Sequence, residues 1–261
     1  MKTVSNDCGT RNNFGFYDVR AKEIVLTRPC SRKSDINEAY DWLDNAENLR
    51  KFAIGIGGVE SFVTDDAGNG LYTAARSTIK QEVLRNAAGD NLVLSKFLKK
   101  LEGKNELRNL SLRCFVFSDD AELFALMMQT IKTLPSLVYL DLAGCYFTDS
   151  QLIELARMIA TTHIANLVWP EPRMSPMVEG QVVGGLSASR ALVVGSCVPA
   201  EVSKILERNR QWVFNMAKYP TRISEDEIAV MKEYRDTFRF AVAYEKQRLL
   251  ELEKTIEAFL A

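Results

Sequence analysis

Residues 107–117 read LRNLSLRCFVF and residues 137–147 read LVYLDLAGCYF. The two stretches share the pattern L-x-x-L-x-L-x-x-[CF]-x-F. Leu107, Leu110 and Leu112 align with Leu137, Leu140 and Leu142, Phe115 with Cys145, and Phe117 with Phe147. Self-similarity at the period separating 107 from 137 marks a stacked-repeat architecture, in which one unit cannot bury its apolar face alone and a neighbour completes the core. Each stretch alternates apolar and polar residues, as a strand does. Each is followed by an acidic turn suited to a helix N-cap, Ser118-Asp119-Asp120 and Thr148-Asp149-Ser150. Apolar residues at helical spacing then follow: Leu123, Leu126, Met127 and Ile131 in the first unit, Leu152, Leu155 and Ile159 in the second. Each unit is therefore a short strand, a turn and a helix.

Outward from this pair the pattern weakens. Ile164 and Leu167 fall one further period after Leu134 and Leu137, giving a third strand that Pro170 and Pro172 end. In the other direction Leu49, Phe52, Ile54 and Gly57 make a degenerate fourth. Leu49 precedes Leu107 by nearly two periods, which leaves room for one distorted or helical unit over 63–106 with a helix near 90–101. Residues 14–27 favour a strand hairpin, Asp35–Leu49 a helix, and Leu186–Val198 a last irregular strand. Pro199 suits the first position of a helix running through Val202, Ile205, Leu206, Trp212 and Val213.

Ser224 and Glu227 form a capping box before the longest helical pattern in the chain. Positions 228, 231, 235, 238, 242, 245, 249, 252, 256 and 259 are apolar except Arg235 and Glu245, which is a heptad seam. It serves either internal packing against 199–217 or association between chains. The segments are an N-terminal cap (1–48), repeats (49–198) and a helical C-terminal region (199–261).

Composition excludes several classes. The net charge of −1, with basic and acidic residues interleaved, gives no stripe for nucleic acid. No apolar run is long enough to suggest a membrane span, and none after Met1-Lys2 suggests a signal peptide. Five scattered cysteines without a C-x-x-C pair read as free thiols of a reducing cytoplasm. The one histidine, His163, has no nucleophile motif around it, so enzymatic chemistry is not expected. Gly55-x-Gly57-Gly58 lacks the third glycine of a dinucleotide loop, because Glu60 stands there. A calcium loop starting at Asp65 fails at Ala67 and Arg76. No cofactor and no metal is expected.

The repeats of 107–169 resemble leucine-rich repeats of the ribonuclease-inhibitor-like class. That resemblance implies an α/β fold: a short horseshoe of parallel concave strands and convex helices, with a helical C-terminal cap. It also implies a non-enzymatic protein-binding role, including inhibition by masking another protein's active site. The short array, the stretch Lys204-Ile205-Leu206-Glu207-Arg208-Asn209-Arg210 and the Glu-rich C-terminus resemble leucine-rich-repeat effectors that intracellular bacterial pathogens translocate into host cytoplasm. Some of these bind other effectors, so the partner implied is a host protein or a second effector.

Alternation turns the polar positions of each strand away from the leucines, onto the concave face. The candidate partner-binding residues are Arg108, Asn109, Ser111, Arg113, Val138, Tyr139, Asp141, Asn166 and Trp169, expected to be exposed. Trp169 falls at an inward position, and the adjacent prolines are expected to turn it outward. Two other classes stay open: an oligomeric scaffold assembled through the 224–260 heptads, and an enzyme using carboxylates or Cys197 in the C-terminal region.

Overall fold

The computed structural model describes residues 10–12, 14–20, 22–26, 33–55, 90–164, 166–170, 174–189 and 193–195. From the C-terminal region it describes 204–205, 207–209, 211, 228, 254 and 257–258. The fold is α/β. Its strands are β1 (Thr10–Asn12), β2 (Gly15–Asp18), β3 (Glu23–Leu26), β4 (Lys51–Gly55), β5 (Asn109–Arg113), β6 (Tyr139–Asp141), β7 (Asn166–Val168) and β8 (Val193–Gly195). They form one eight-stranded sheet in chain order. The first two pairings are antiparallel. From β3 to β8 every pairing is parallel. The helices are α1 (Lys33–Asn45), α2 (90–100), α3 (Ala121–Thr133), α4 (Asp149–Ile159) and α5 (Pro176–Leu186).

The core lies between sheet and helices. Ile24, Phe52, Leu110, Leu140 and Leu167 make one inward row across β3–β7, and buried apolar residues of all five helices join the same cluster. At roughly 25 cal/mol per Å² of buried apolar surface, this continuous row is what holds the strands in register. The hairpin of 14–27 and the helix following it form as expected, and β3 extends the sheet beyond β4.

The helix expected near 90–101 forms as α2, and β4 pairs directly with β5; residues 63–89 of the expected unit lie outside the described residues. Two expectations are corrected. Firstly, the third unit is shorter than the period of the first two. Leu167 pairs with Leu140 and Asn166 with Tyr139, where an unbroken period would align Leu167 with Leu137. The helix α4 has 11 residues against 13 in α3, so the chain reaches the sheet sooner. Secondly, Trp169 lies in the core at 1% exposure. Gly57 and most of the heptad segment fall outside the described residues.

The repeat turns carry their own chemistry. Cys114 and Gly144, equivalent positions of consecutive units, both have left-handed backbones, with φ of 62° and 69°. Glycine adopts this without penalty, whereas for cysteine it costs about 1–2 kcal/mol. Gly144 is required for a second reason: a Cβ there would sit 2.9 Å from the Cys114 sulfur. One turn thus carries a side chain and the next supplies the space for it.

Thr148 accepts the Gln151 N–H at 3.3 Å, and the Gln151 side chain accepts the Thr148 N–H at 2.9 Å. The Gln151 amide then donates to the Phe117 carbonyl at 2.9 Å, tying the α4 cap to the previous unit. Phe117 and Phe147, equivalent positions, stack at 4.9 Å. We expect Thr148→Ala to cost about 1 kcal/mol, the usual loss of an N-cap. Urea denaturation checks this, with an unchanged midpoint as the contrary result.

The helix α5 carries Gly180, Gly184 and Gly185 yet forms, capped by Ser175, which accepts the Val178 N–H at 3.4 Å. Its packing on α4 explains Gly185, where a Cβ would lie 3.0 Å from the Ala156 Cβ. Beyond β8, Arg208 donates to the Ser187 carbonyl at 2.6 Å and Asn209 to the Ser189 carbonyl at 2.9 Å. These bonds satisfy carbonyls at the end of α5, and Ile205 joins the core.

Candidate functional site

The face of the sheet opposite the core is built from two registered rows. One runs Glu23, Lys51, Asn109, Tyr139 and Asn166. The other runs Val25, Ala53, Ser111, Asp141 and Val168. Adjacent strands stand about 4.8 Å apart, so neighbours in a row are in side-chain reach. Arg113, at the end of β5, pairs in register with Gly55.

Asp141 is the centre of this face. Its Oδ2 accepts from Arg113 Nε at 2.5 Å, Ser111 Oγ at 3.1 Å and, at longer range, Tyr139 Oη at 3.5 Å. Arg113 Nη2 lies at 2.5 Å from the same oxygen. The other oxygen, Oδ1, accepts the Ala143 N–H at 3.0 Å. The carboxylate is 1% exposed, and only a paired, fully bonded charge is tolerated at that depth. Beside this centre Lys51 Nζ donates to Glu23 at 3.2 Å. Asn109 is buried, and its Oδ1 has no hydrogen-bond partner among the described residues.

The expectation of exposure therefore fails over much of the set. Asn109, Ser111, Arg113, Val138, Asp141, Asn166 and Trp169 are buried. Ser111, Arg113 and Asp141 bond sideways to one another across the strands. Trp169 is separated from the rest altogether, on the core side. Arg108 and Tyr139 keep partial exposure. The strand alternation itself holds: Asn109, Tyr139 and Asn166 share one row, Ser111 and Asp141 the other. Glu23 belongs to this face and went unread in the sequence, although E-I-V-L already alternates in its favour.

The thiols nearby are suppressed as nucleophiles. Burial pushes the Cys114 thiol up to about 11, with Asp141 adding to the rise and Arg113 opposing it. Burial raises Cys145 well above the usual thiol range, and its Sγ donates to the Leu112 carbonyl at 3.0 Å. The thiolate is the reactive form. We expect Cys114 to alkylate far more slowly than a free thiol at pH 8 and to accelerate as pH approaches 11. Peptide-resolved labelling against pH measures this, and rapid labelling at pH 8 would contradict it. A thiol raised in the folded state contributes stability that is full below pH 9.0 and is lost as pH rises through about 11.

Among the described residues no three His, Cys, Asp or Glu side chains cluster to hold a metal. His163 is exposed, at the start of the third unit. No helix of the described residues is long and apolar enough to cross a membrane. The arrangement offers a preformed surface with a fixed ion pair and a partly open tyrosine at its middle.

No protein-family model matches the chain. No curated protein matches it either. Among solved structures the chain is similar to leiomodin-1 actin-binding site 2, at 14% identity and a TM-score of 0.43, over 59% of this chain and 98% of that one.

Proposed function

We propose that this chain is a short leucine-rich-repeat array of the ribonuclease-inhibitor-like class, and that it works as a non-enzymatic docking protein. The supporting observation is the sheet itself. Six parallel strands follow in chain order, their helices sit on one side, and the opposite face carries the Asp141–Arg113 pair with Tyr139 at its accessible part; Arg108, half-buried, directly precedes β5. Tyrosine and arginine are the residue types that most often carry interface energy. Six strands span roughly 24 Å, so the face covers a patch of one protein partner and does not encircle it. The partner we propose is a host protein or a second bacterial effector, met in host cytoplasm and masked by this face.

Immobilised full-length chain would be used to recover partners from host-cell lysate and from the bacterial proteome. Arg108→Glu and Tyr139→Ala should each cut recovery of a specific partner at least tenfold. Glu122→Lys and Glu154→Lys, exposed on α3 and α4, should leave it unchanged. Equal recovery with all four variants would remove the docking assignment.

A further inference from the structure

The residues that directly precede β3, β4 and β5 are all basic: Lys22, Arg50 and Arg108. The fold stacks them. The Lys22 carbonyl accepts the Arg50 N–H at 2.9 Å, and the Arg50 carbonyl accepts the Arg108 N–H at 2.9 Å. The next step of the same ladder is apolar, since the Arg108 carbonyl accepts the Val138 N–H at 3.0 Å. Strands stand about 4.8 Å apart, so the backbones of the three basic residues lie within about 10 Å along the rim of the sheet. Arg50 is exposed, and Lys22 and Arg108 are half-buried.

Neutralisation along this rim is thin. Glu106 Oε2 stands 3.7 Å from Lys22 Nζ, beyond hydrogen-bond reach, and both side chains meet water. Arg50 has no ion pair among the described residues. The nearby Glu23 is taken by Lys51, at 3.2 Å. Like charges on adjacent strands repel, so a bound anion would relieve a strain that the free chain carries.

We propose that this rim binds an acidic segment of a protein partner, with Arg50 as the central contact. This rests on the docking reading and gives its partner a chemistry: two or three carboxylates presented within about 10 Å. Carboxylates suit arginine, whose planar fork takes them two bonds at a time. In an extended segment every second side chain faces the same way, about 7 Å apart, which long side chains on adjacent strands can span. A uniformly anionic surface fits less well. Glu23 and Glu106 stand beside the cations and the net charge is −1, so a membrane or a nucleic-acid backbone would meet repulsion around a short basic row. A peptide segment can set its carboxylates on the row and keep clear of both glutamates.

The test uses the full-length chain and a fluorescein-labelled octaglutamate peptide, followed by anisotropy. Binding is expected at low salt and should weaken at least fivefold at about 150 mM, where exposed charges are screened beyond about 8 Å. Arg50→Glu should lower the affinity at least tenfold. Lys99→Glu, the same charge change at an exposed position on α2, should alter it less than twofold. Should Arg50→Glu lower the thermal midpoint, Arg50→Gln repeats the comparison without a new charge and should still lose at least threefold. A parent chain that does not bind octaglutamate overturns the proposal. Equal losses from Arg50→Glu and Lys99→Glu overturn it too, since they mark diffuse attraction. Tighter Arg50-dependent binding of phosphatidylserine vesicles, or of a labelled thymidine oligonucleotide, also overturns it. Failure of the docking reading has a different signature: octaglutamate bound through Arg50, with partner recovery insensitive to Arg108→Glu and Tyr139→Ala.

Discussion

Asp141→Ala is expected to destabilise the chain by about 3–5 kcal/mol, because Arg113 is left buried beside Ser111 without its counter-charge. The Nε and Nη2 contacts to Asp141 converge on Oδ2, and the lost carboxylate also frees the Ala143 N–H. The sharper half of the prediction is the double substitution. Asp141→Leu with Arg113→Met removes both charges and should recover most of the loss, since a buried ion pair is worth little against apolar residues of similar volume. A double-mutant cycle by urea denaturation measures both effects. A single variant within about 1 kcal/mol of the parent, the range of exposed pairs, would mean that the pair is solvated in solution. The same cycle separates stability from the proposed recognition, since the double variant should restore the fold while deleting the charge pair from the strand face.

Trp169→Ala is expected to cost about 3–5 kcal/mol, the usual range for removing a fully buried large aromatic side chain. Trp169 is 1% exposed and occupies the inward position that Leu112 and Leu142 hold in the earlier units. Tyr139→Ala should cost far less, because that ring is partly exposed and stands on the opposite face. The two aromatics thus have opposite phenotypes: loss of fold at 169, loss of partner recovery at 139. A stable Trp169→Ala chain that loses its partner would place the indole on the surface after all.

The leucine pattern made the β5–α3 and β6–α4 units legible, since strand alternation and helical spacing are both local signals. The hairpin and α1 were legible for the same reason. The register of β7 was not, because the shorter third unit depends on how soon α4 ends. Capping residues mark where helices start more sharply than side chains mark where they stop. The helix α5 was missed although Ser175-Pro176 is an ordinary start signal. Three glycines lower its intrinsic propensity by about 1 kcal/mol each, and only its close approach to α4 at Gly185 and Ala156 explains why it forms.

The strand face opposite the core was read correctly in its alternation and incorrectly in its exposure. Ser111 and Asp141 hold equivalent positions in consecutive units, so their adjacency was implicit in the alignment. Their bond to Arg113 was not, because it is a sideways interaction between units that a strand-by-strand reading treats separately. The prolines after Trp169 suggested an outward turn, but burial of a large indole outweighs such a local preference.

The claim that carries the rest is that partners dock on the strand face, away from the helices. Photo-cross-linking of the recovered complex from two positions tests it most directly: Tyr139 on the strand face, and Met177 on α5, which is 71% exposed. The account predicts that the probe at 139 joins the partner and the probe at 177 does not. Cross-links to the partner from 177, with none from 139, would contradict it.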